Sequence, residues 1–385
     1  MREIKIGLIG AGWMGSYHAI GFTNIRRAYG DSICPVFEMV ADSNEKTAKK
    51  ACSRFGFKNF TTDWKKVIEN PEIELVIIAT PNNLHAPIVI AAAKAGKHII
   101  CEKPMANTLQ DSKAMAEAVK KAGVKSLVDF IYRKCPANVY ARDIIRAGKL
   151  GEIITYRGEF DCSYCVDPLV PSTWRQYASI AGTGVLGDLT AHVISLSDML
   201  VGKEVEAVCA MWETVYPTRP ESINSSKRVV VDTDDQVYAL IKYSDGHIGQ
   251  MSSSRISAGK PCALAYEIQG TKGTIKFDLT RINEIKLYDG NKSEAGDSGF
   301  KILKGNVDHG DYKSFCETDE LGISYADVMG IQAHDMLEAI VNDKNIDIDI
   351  PYGYYVDRVM AAMSESARTG KWVKVSDSEG DSYEN

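Results

Sequence analysis

Apolar positions follow two different rhythms along this chain. In the first third they gather in short apolar-rich segments, 6–9, 35–41, 75–79, 97–101 and 124–130, of which 75–79 (LVIIA) is a continuous run. An unbroken run of that length suits a parallel strand covered on both faces, and the other segments read as its neighbours. Helices are predicted between them, over 16–28, 46–55, 63–69, 87–95 and 110–122. Gly21 weakens the middle of the first helix, while Pro87 and Gly96 bracket the fourth. Strand and helix alternate, which predicts a doubly wound parallel α/β sheet.

Beyond residue 131 the rhythm changes. Strands are predicted over 153–160, 205–211, 235–243, 247–254, 263–269 and 273–277, several with apolar and polar residues alternating. Ser244-Asp245-Gly246 and Gly270-Thr271-Lys272 supply turns between them. That is a meander, hence an α+β domain with a large open, mostly antiparallel sheet. Its broad face needs a cover, either helices or a partner subunit. Helices are predicted over 136–146, 325–342 and 354–368, and Leu189, Val193, Leu196 and Leu200 form another helical stripe. The aperiodic segment 161–180 carries Tyr164, Asp167, Trp174 and Arg175, and loops of that length tend to be functional. Tracts 219–227 and 291–299 read as mobile loops. The domains expected are 1–130 and 131–370, with the closing helix near their junction and 371–385 as an acidic, frayed tail.

Composition narrows the function classes. Lys and Arg number 45 against 51 Asp and Glu, a formal charge of -6, which offers no invitation to nucleic acid or an anionic membrane. No run is long enough to suggest a spanning helix, and the N-terminus lacks a signal-peptide pattern, so a cytoplasmic address is expected. Nine scattered cysteines argue against a disulfide framework. Cys162 and Cys165 form one Cys-x-x-Cys pair with no second cluster, so free thiols are expected and no metal.

Gly10, Gly12 and Gly15 end the first strand with dinucleotide-turn spacing. In such a turn the first glycine bends the chain, the second admits a pyrophosphate and the third lets helix and strand approach. Asp42 ends the second strand, where an acid accepts hydrogen bonds from ribose hydroxyls. Ser43 and Asn44 follow it, with no arginine for a 2'-phosphate, favouring NAD over NADP. The gap from glycine turn to acid exceeds the usual ~20 residues, which predicts an added loop over 29–35. Pro81 and Asn82, beyond the predicted strand 75–79, are placed to line a cofactor cleft. Lys103 also leaves a strand end, flanked by Glu102 and Pro104. A half-buried lysine there is costly unless it meets a polar ligand. Asp188 and His192 lie four apart at a helix start, where a carboxylate can tune an imidazole as a base. A structural hydrogen bond or half a metal site would use the same two residues.

Glu102-Lys103-Pro104 together with Asp188-x-x-x-His192 and the opening KIGLIGAG resembles the Gfo/Idh/MocA family of sugar oxidoreductases over nearly the whole length. The resemblance implies an N-terminal Rossmann domain binding NAD and a C-terminal sheet that mediates homodimers or homotetramers. It implies Lys103, Asp188 and His192 as the catalytic group. Ala11, Trp13, Met14, Ser43, Thr80, His85, Glu102, Arg133, Trp174 and Arg175 join the glycines, Asp42, Pro81 and Asn82 as candidate cofactor contacts. Tyr132, Tyr164, Asp167 and His309 are candidate sugar contacts beside the catalytic three. Trp174-Arg175, SIAGTGVLGD and the long segment before Asp42 point towards members that oxidise anhydro-sugars or C3 of glucosides. The expected reaction is hydride transfer from a ring carbon to NAD. Inositol oxidation, keto-sugar reduction and a non-catalytic dinucleotide-binding regulator are the alternatives.

Overall fold

A computed structural model of the protein describes residues 1–290, 299–319 and 321–375. The predicted loop 291–299 and the acidic tail therefore lie almost wholly outside the described residues. The chain forms two compact units, and neither is one continuous segment. The first comprises Met1–Ile131 with Ile323–Tyr355, and the second Tyr132–Gly322 with Val356–Asn385. Segment 323–355, which chain order assigned to the second domain, thus packs in the first.

The first unit is built on six parallel strands: β1 (Arg2–Ile9), β2 (Ile33–Ala41), β3 (Asn59–Thr61), β4 (Leu75–Ile78), β5 (His98–Cys101) and β6 (Ser126–Val128). Their order in the sheet is β3-β2-β1-β4-β5-β6. The order reverses between β1 and β4, and the crevice at such a reversal is where open α/β sheets bind ligands. All four residues of β4 are buried, each side chain contributing about 1.5–3 kcal/mol through removal from water. Asn44 starts the helix Glu45–Phe55 by accepting from the Lys46 and Thr47 amides, and Gly56 ends it in left-handed conformation.

The helix predicted over 16–28 is observed as two, Trp13–Thr23 and Ile25–Tyr29, joined at Asn24. Gly21 has a packing reason. A Cβ there would lie 2.8 Å from the Met329 backbone, in the late helix Tyr325–Asn342. The glycine that weakens its own helix admits this neighbour. His334 of the same late helix stacks on Tyr29 at 3.5 Å.

In the second unit, nine strands of the described residues form one sheet: β7 (Ile153–Asp161), β8 (Val205–Glu213), β11 (Gln236–Tyr243), β12 (Ile248–Ser254), β13 (Ala263–Gly270), β14 (Gly273–Asp278), β15 (Glu284–Asp289), β16 (Lys301–Lys304) and β17 (Val373–Lys374). The short pair β9 (Thr218–Pro220) and β10 (Arg228–Val230) stands apart. The sheet order is β16-β15-β14-β13-β7-β12-β11-β8-β17. All pairings are antiparallel except β7 with β12. A simple meander does not produce that parallel pair. β7 is inserted between strands made some ninety residues later, after a crossover.

One face of this sheet carries the helix Ala191–Val201, whose Val193 carbonyl accepts from Tyr156 of β7. The other shows alternation on β11, where Val237, Ala239 and Ile241 are buried while Tyr238 and Leu240 are exposed. Met211 and Ile248 add to that open face. Segment Ala178–Val201 has the length and apolarity of a membrane span, but most of it is buried among the protein's own side chains. No disulfide joins the nine cysteines, and Cys162 and Cys165 are both buried.

The tract predicted as a mobile loop over 219–227 is corrected at its start. Arg219 is 0% exposed. Its guanidinium donates to the carbonyls of Cys165, Asp167 and Val170 and lies over the Tyr216 ring. Hydrophilic composition misled here, because a buried arginine satisfied by backbone carbonyls has the same letter as a solvated one. The arginine straps down the 162–170 loop that carries Tyr164.

Candidate active site

In the first unit the turn after β1 has the shape its glycines predict. Gly10 takes φ +92°, and a Cβ there would sit 2.4 Å from the Ala79 carbonyl oxygen. At Gly15 a Cβ would lie 1.9 Å from the Gly10 oxygen, whereas at Gly12 it would meet nothing within 4 Å. Gly12 starts the helix Trp13–Thr23 with no side-chain cap and no acid in the first turn. Uncapped amides beside open space form a cradle for a phosphate. Asp42 accepts from the Ala11 amide at 2.9 Å and the Asn44 amide at 2.9 Å. A carboxylate has about four acceptor sites, so capacity for ribose hydroxyls remains. These residues fit NAD. Trp13 is 68% exposed at the mouth of the turn, with Tyr17 edge-on at 5.0 Å.

The turn predicts two contrasting results. Gly12→Val should leave the melting temperature of the ligand-free protein nearly unchanged and weaken NADH binding by about tenfold or more, each tenfold being about 1.4 kcal/mol. Gly15→Ala should instead destabilise the unit by about 1–3 kcal/mol through overpacking. Thermal melts and NADH fluorescence titrations of both variants check this.

Three predicted cofactor contacts have other employment. His85 is fully buried, its Nε2 facing the Thr80 carbonyl at 3.0 Å and its Nδ1 the Pro104 and Met105 carbonyls at 3.1 and 3.2 Å. Burial lowers its pKa despite those carbonyls. A ring with no exposed surface cannot touch a dinucleotide, so His85 ties the turn after β4 to the one after Lys103. Glu102 turns its carboxylate inward to His18. Arg133, also buried, donates through Nη1 to the Ser195 carbonyl at 3.3 Å and to Asp198 at 3.2 Å. Thr80, Pro81 and Lys103 are half-buried at strand ends, and Asn82 is buried.

In the second unit the stripe around His192 begins with a π-helical turn, Leu186–Thr190, followed by the helix Ala191–Val201. Such wide turns are frequent at functional sites. Asp234 secures the start of the turn by accepting from the Gly184 amide at 2.6 Å and the Leu186 amide at 2.8 Å. Burial raises the Asp234 pKa, and the two amides offset part of that. Thr190 donates to Ser253 at 2.9 Å. His192 is 5% exposed, edge-on to the Tyr132 ring at 4.7 Å and 5.9 Å from Phe160. Tyr164 donates to Asp188 Oδ2 at 3.0 Å, and Arg175 Nε approaches the same oxygen at 3.6 Å while its guanidinium lies over Trp174 at 4.3 Å.

Predicted sugar and cofactor residues Tyr132, Tyr164, Trp174 and Arg175 thus gather with Asp188 and His192. Asp167 instead accepts from the Leu169 amide in a turn. His309 packs on Tyr140 at 3.6 Å and accepts from the Asn306 amide. Sequence reasoning missed Asp234, which lies just before β11 where no motif marks it. Tyr164→Phe should reduce kcat/KM by about tenfold, as a hydrogen bond to a charged group contributes about 1.5–3 kcal/mol. Steady-state kinetics checks it, with the melting temperature unmoved because the ring is half-exposed.

A profile described as an oxidoreductase family with an NAD-binding Rossmann fold matches residues 4–130, and the Gfo/Idh/MocA C-terminal domain profile matches 139–276. The chain belongs to the Gfo/Idh/MocA family. It is therefore an NAD(H)-dependent oxidoreductase, with the parallel nucleotide-binding sheet in the first unit and the mostly antiparallel sheet in the second. Among relatives in the family, levoglucosan dehydrogenase of Pseudarthrobacter phenanthrenivorans is 37% identical over 97% of this chain and 99% of its own. A levoglucosan dehydrogenase structure in complex with NADH and levoglucosan superposes with a TM-score of 0.93 at 38% identity, covering 97% of this chain and all of the other. A scyllo-inositol 2-dehydrogenase (NAD(+)) of Bacillus subtilis is 28% identical over 78% of this chain and 80% of its own.

Proposed function

We propose that the protein oxidises a secondary ring hydroxyl, at C3, of a glucopyranoside or anhydro-sugar. The near full-length match to levoglucosan dehydrogenase carries this reading, supported by the aromatic and polar groups around His192. A neutral polyhydroxylated ring needs several hydrogen-bonding groups and an aromatic wall. Tyr132, Tyr164, Trp174 and Arg175 supply both. NAD, when bound at Gly10, Gly12 and Asp42, supplies the hydride acceptor.

His192 takes the hydroxyl proton, and Asp188 tunes the site's charge while Tyr164 and Arg175 hold its carboxylate. Lys103 stabilises alkoxide charge as it develops. Oxidising levoglucosan, a methyl glucoside and myo-inositol separately with NAD tests the assignment. NADH absorbance gives the rates, and NMR locates the product carbonyl. Exclusive turnover of myo-inositol would favour the second reading, an inositol dehydrogenase, which the Bacillus subtilis relative supports. Absence of NAD reduction across the panel would sink both. Faster turnover of the keto-sugar with NADH would assign the reverse direction.

The assembly is a homodimer or homotetramer through the open sheet face. Exposed Met211, Tyr238, Leu240 and Ile248 support this, as does a groove beside them lined by Arg157, Glu159, Glu267 and Lys276. Light scattering of the wild type and of Leu240→Lys tests it. Nine scattered cysteines, with no spacing that suggests a disulfide framework, support a cytoplasmic address.

A further inference from the structure

Behind Lys103 lies a closed polar cluster that the reaction scheme does not use. His18 sits three residues after Gly15 on the helix Trp13–Thr23, Glu102 directly precedes Lys103, Asp129 follows β6, and Gln332 belongs to the helix Tyr325–Asn342. All four are more than nine-tenths buried. His18 Nε2 lies 2.8 Å from Glu102 Oε1 and 3.6 Å from Asp129 Oδ2. Gln332 Nε2 donates to Asp129 Oδ1 at 2.7 Å. The other Glu102 oxygen accepts from the Lys103 backbone amide at 3.3 Å.

We propose that His18 is a positioning residue for Lys103, acting through Glu102. The inference rests on the role given to Lys103 above. A carboxylate shared between an imidazole on one helix and the amide of Lys103 sets where that residue leaves its strand end. Charge agrees with the geometry. Burial works against ionising Glu102, but the hydrogen bond and charge of His18 outweigh it and hold the carboxyl down to about 2. Burial likewise opposes an imidazolium, yet Glu102 and Asp129 raise the His18 pKa. Asp129 is pushed well above the carboxylate range by burial and by the adjacent Glu102. These directions all favour a carboxylate at Glu102 beside the His18 imidazole, while Gln332 holds Asp129 in place. Glu102 is also the member of the cluster that touches the Lys103 segment. The same three side chains could group around a metal ion, which the test addresses.

The experiment is a cycle of His18→Gln and Lys103→Met, singly and together, read by kcat, KM and NADH affinity. His18→Gln should lower kcat by roughly 10- to 100-fold, the scale of a small misplacement of a catalytic group, with NADH affinity nearly kept. In the Lys103→Met background it should cause almost no further loss, because nothing remains to be positioned. A merely structural histidine would cost the same factor in both backgrounds, and that result overturns the proposal. So would wild-type kcat in His18→Gln, or one equivalent of tightly bound metal lost in that variant by elemental analysis. Wild-type turnover in Lys103→Met alone would overturn both this inference and the role of Lys103. If His18→Gln does not fold, Glu102→Gln takes its place in the same cycle, with the same outcomes.

Discussion

Replacing His192 by alanine is expected to lower kcat by about 10²- to 10⁴-fold, the range for loss of a positioned general base. NADH affinity should stay nearly constant, because the residue lies in the second unit among Tyr132 and Phe160 and not at the glycine turn. The ring is almost fully buried, so the truncation also leaves a small cavity. His192→Gln, closer in volume, controls for packing, and both variants should show a comparable loss of turnover. Stopped-flow NADH formation with saturating sugar, beside a fluorescence titration of NADH, gives the two numbers. Turnover near the wild-type rate in either variant would remove His192 from the mechanism.

The second large effect is expected at Lys103. Lys103→Met keeps the length and apolar stem but removes the charge, and should reduce kcat by about 10²- to 10³-fold, as for loss of one oxyanion-stabilising group. Lys103→Arg should recover only part of this, because a planar guanidinium does not replace a compact ammonium at one point. A loss appearing mainly in KM would instead mark Lys103 as a uniform binding contact. Initial-rate kinetics over a range of sugar concentrations separates the two patterns.

Much of this architecture is legible in sequence, for identifiable reasons. The strand β4 declares itself because a parallel strand covered on both faces is continuously apolar, and the buried ends of β1 and β5 carry shorter runs of the same kind. The glycine turn is readable because each glycine answers a different steric demand. The stripe around His192 has helical spacing, but its π-helical opening is invisible, since it depends on Asp234, fifty residues away in the segment before β11, holding the Gly184 and Leu186 amides. The same applies to His18 and Glu102, whose pairing needs residues 84 apart in the chain. His85 and Arg133 look like ligand contacts by their letters and places. Only burial reveals that carbonyl groups of the protein already claim them. Hydrophilic spelling likewise concealed the strap made by Arg219.

The return of 323–355 to the first unit has a consequence during synthesis. Translation adds about 5–20 residues per second, so the opening 131 residues leave the ribosome roughly 10–40 s before their last partner helix exists. Throughout that interval the groove at Gly21 that will receive Met329 stands open. The nascent nucleotide-binding half is thus a natural client for chaperones, and release of a chain stopped at residue 131 should yield aggregation-prone material rather than a small NAD-binding protein.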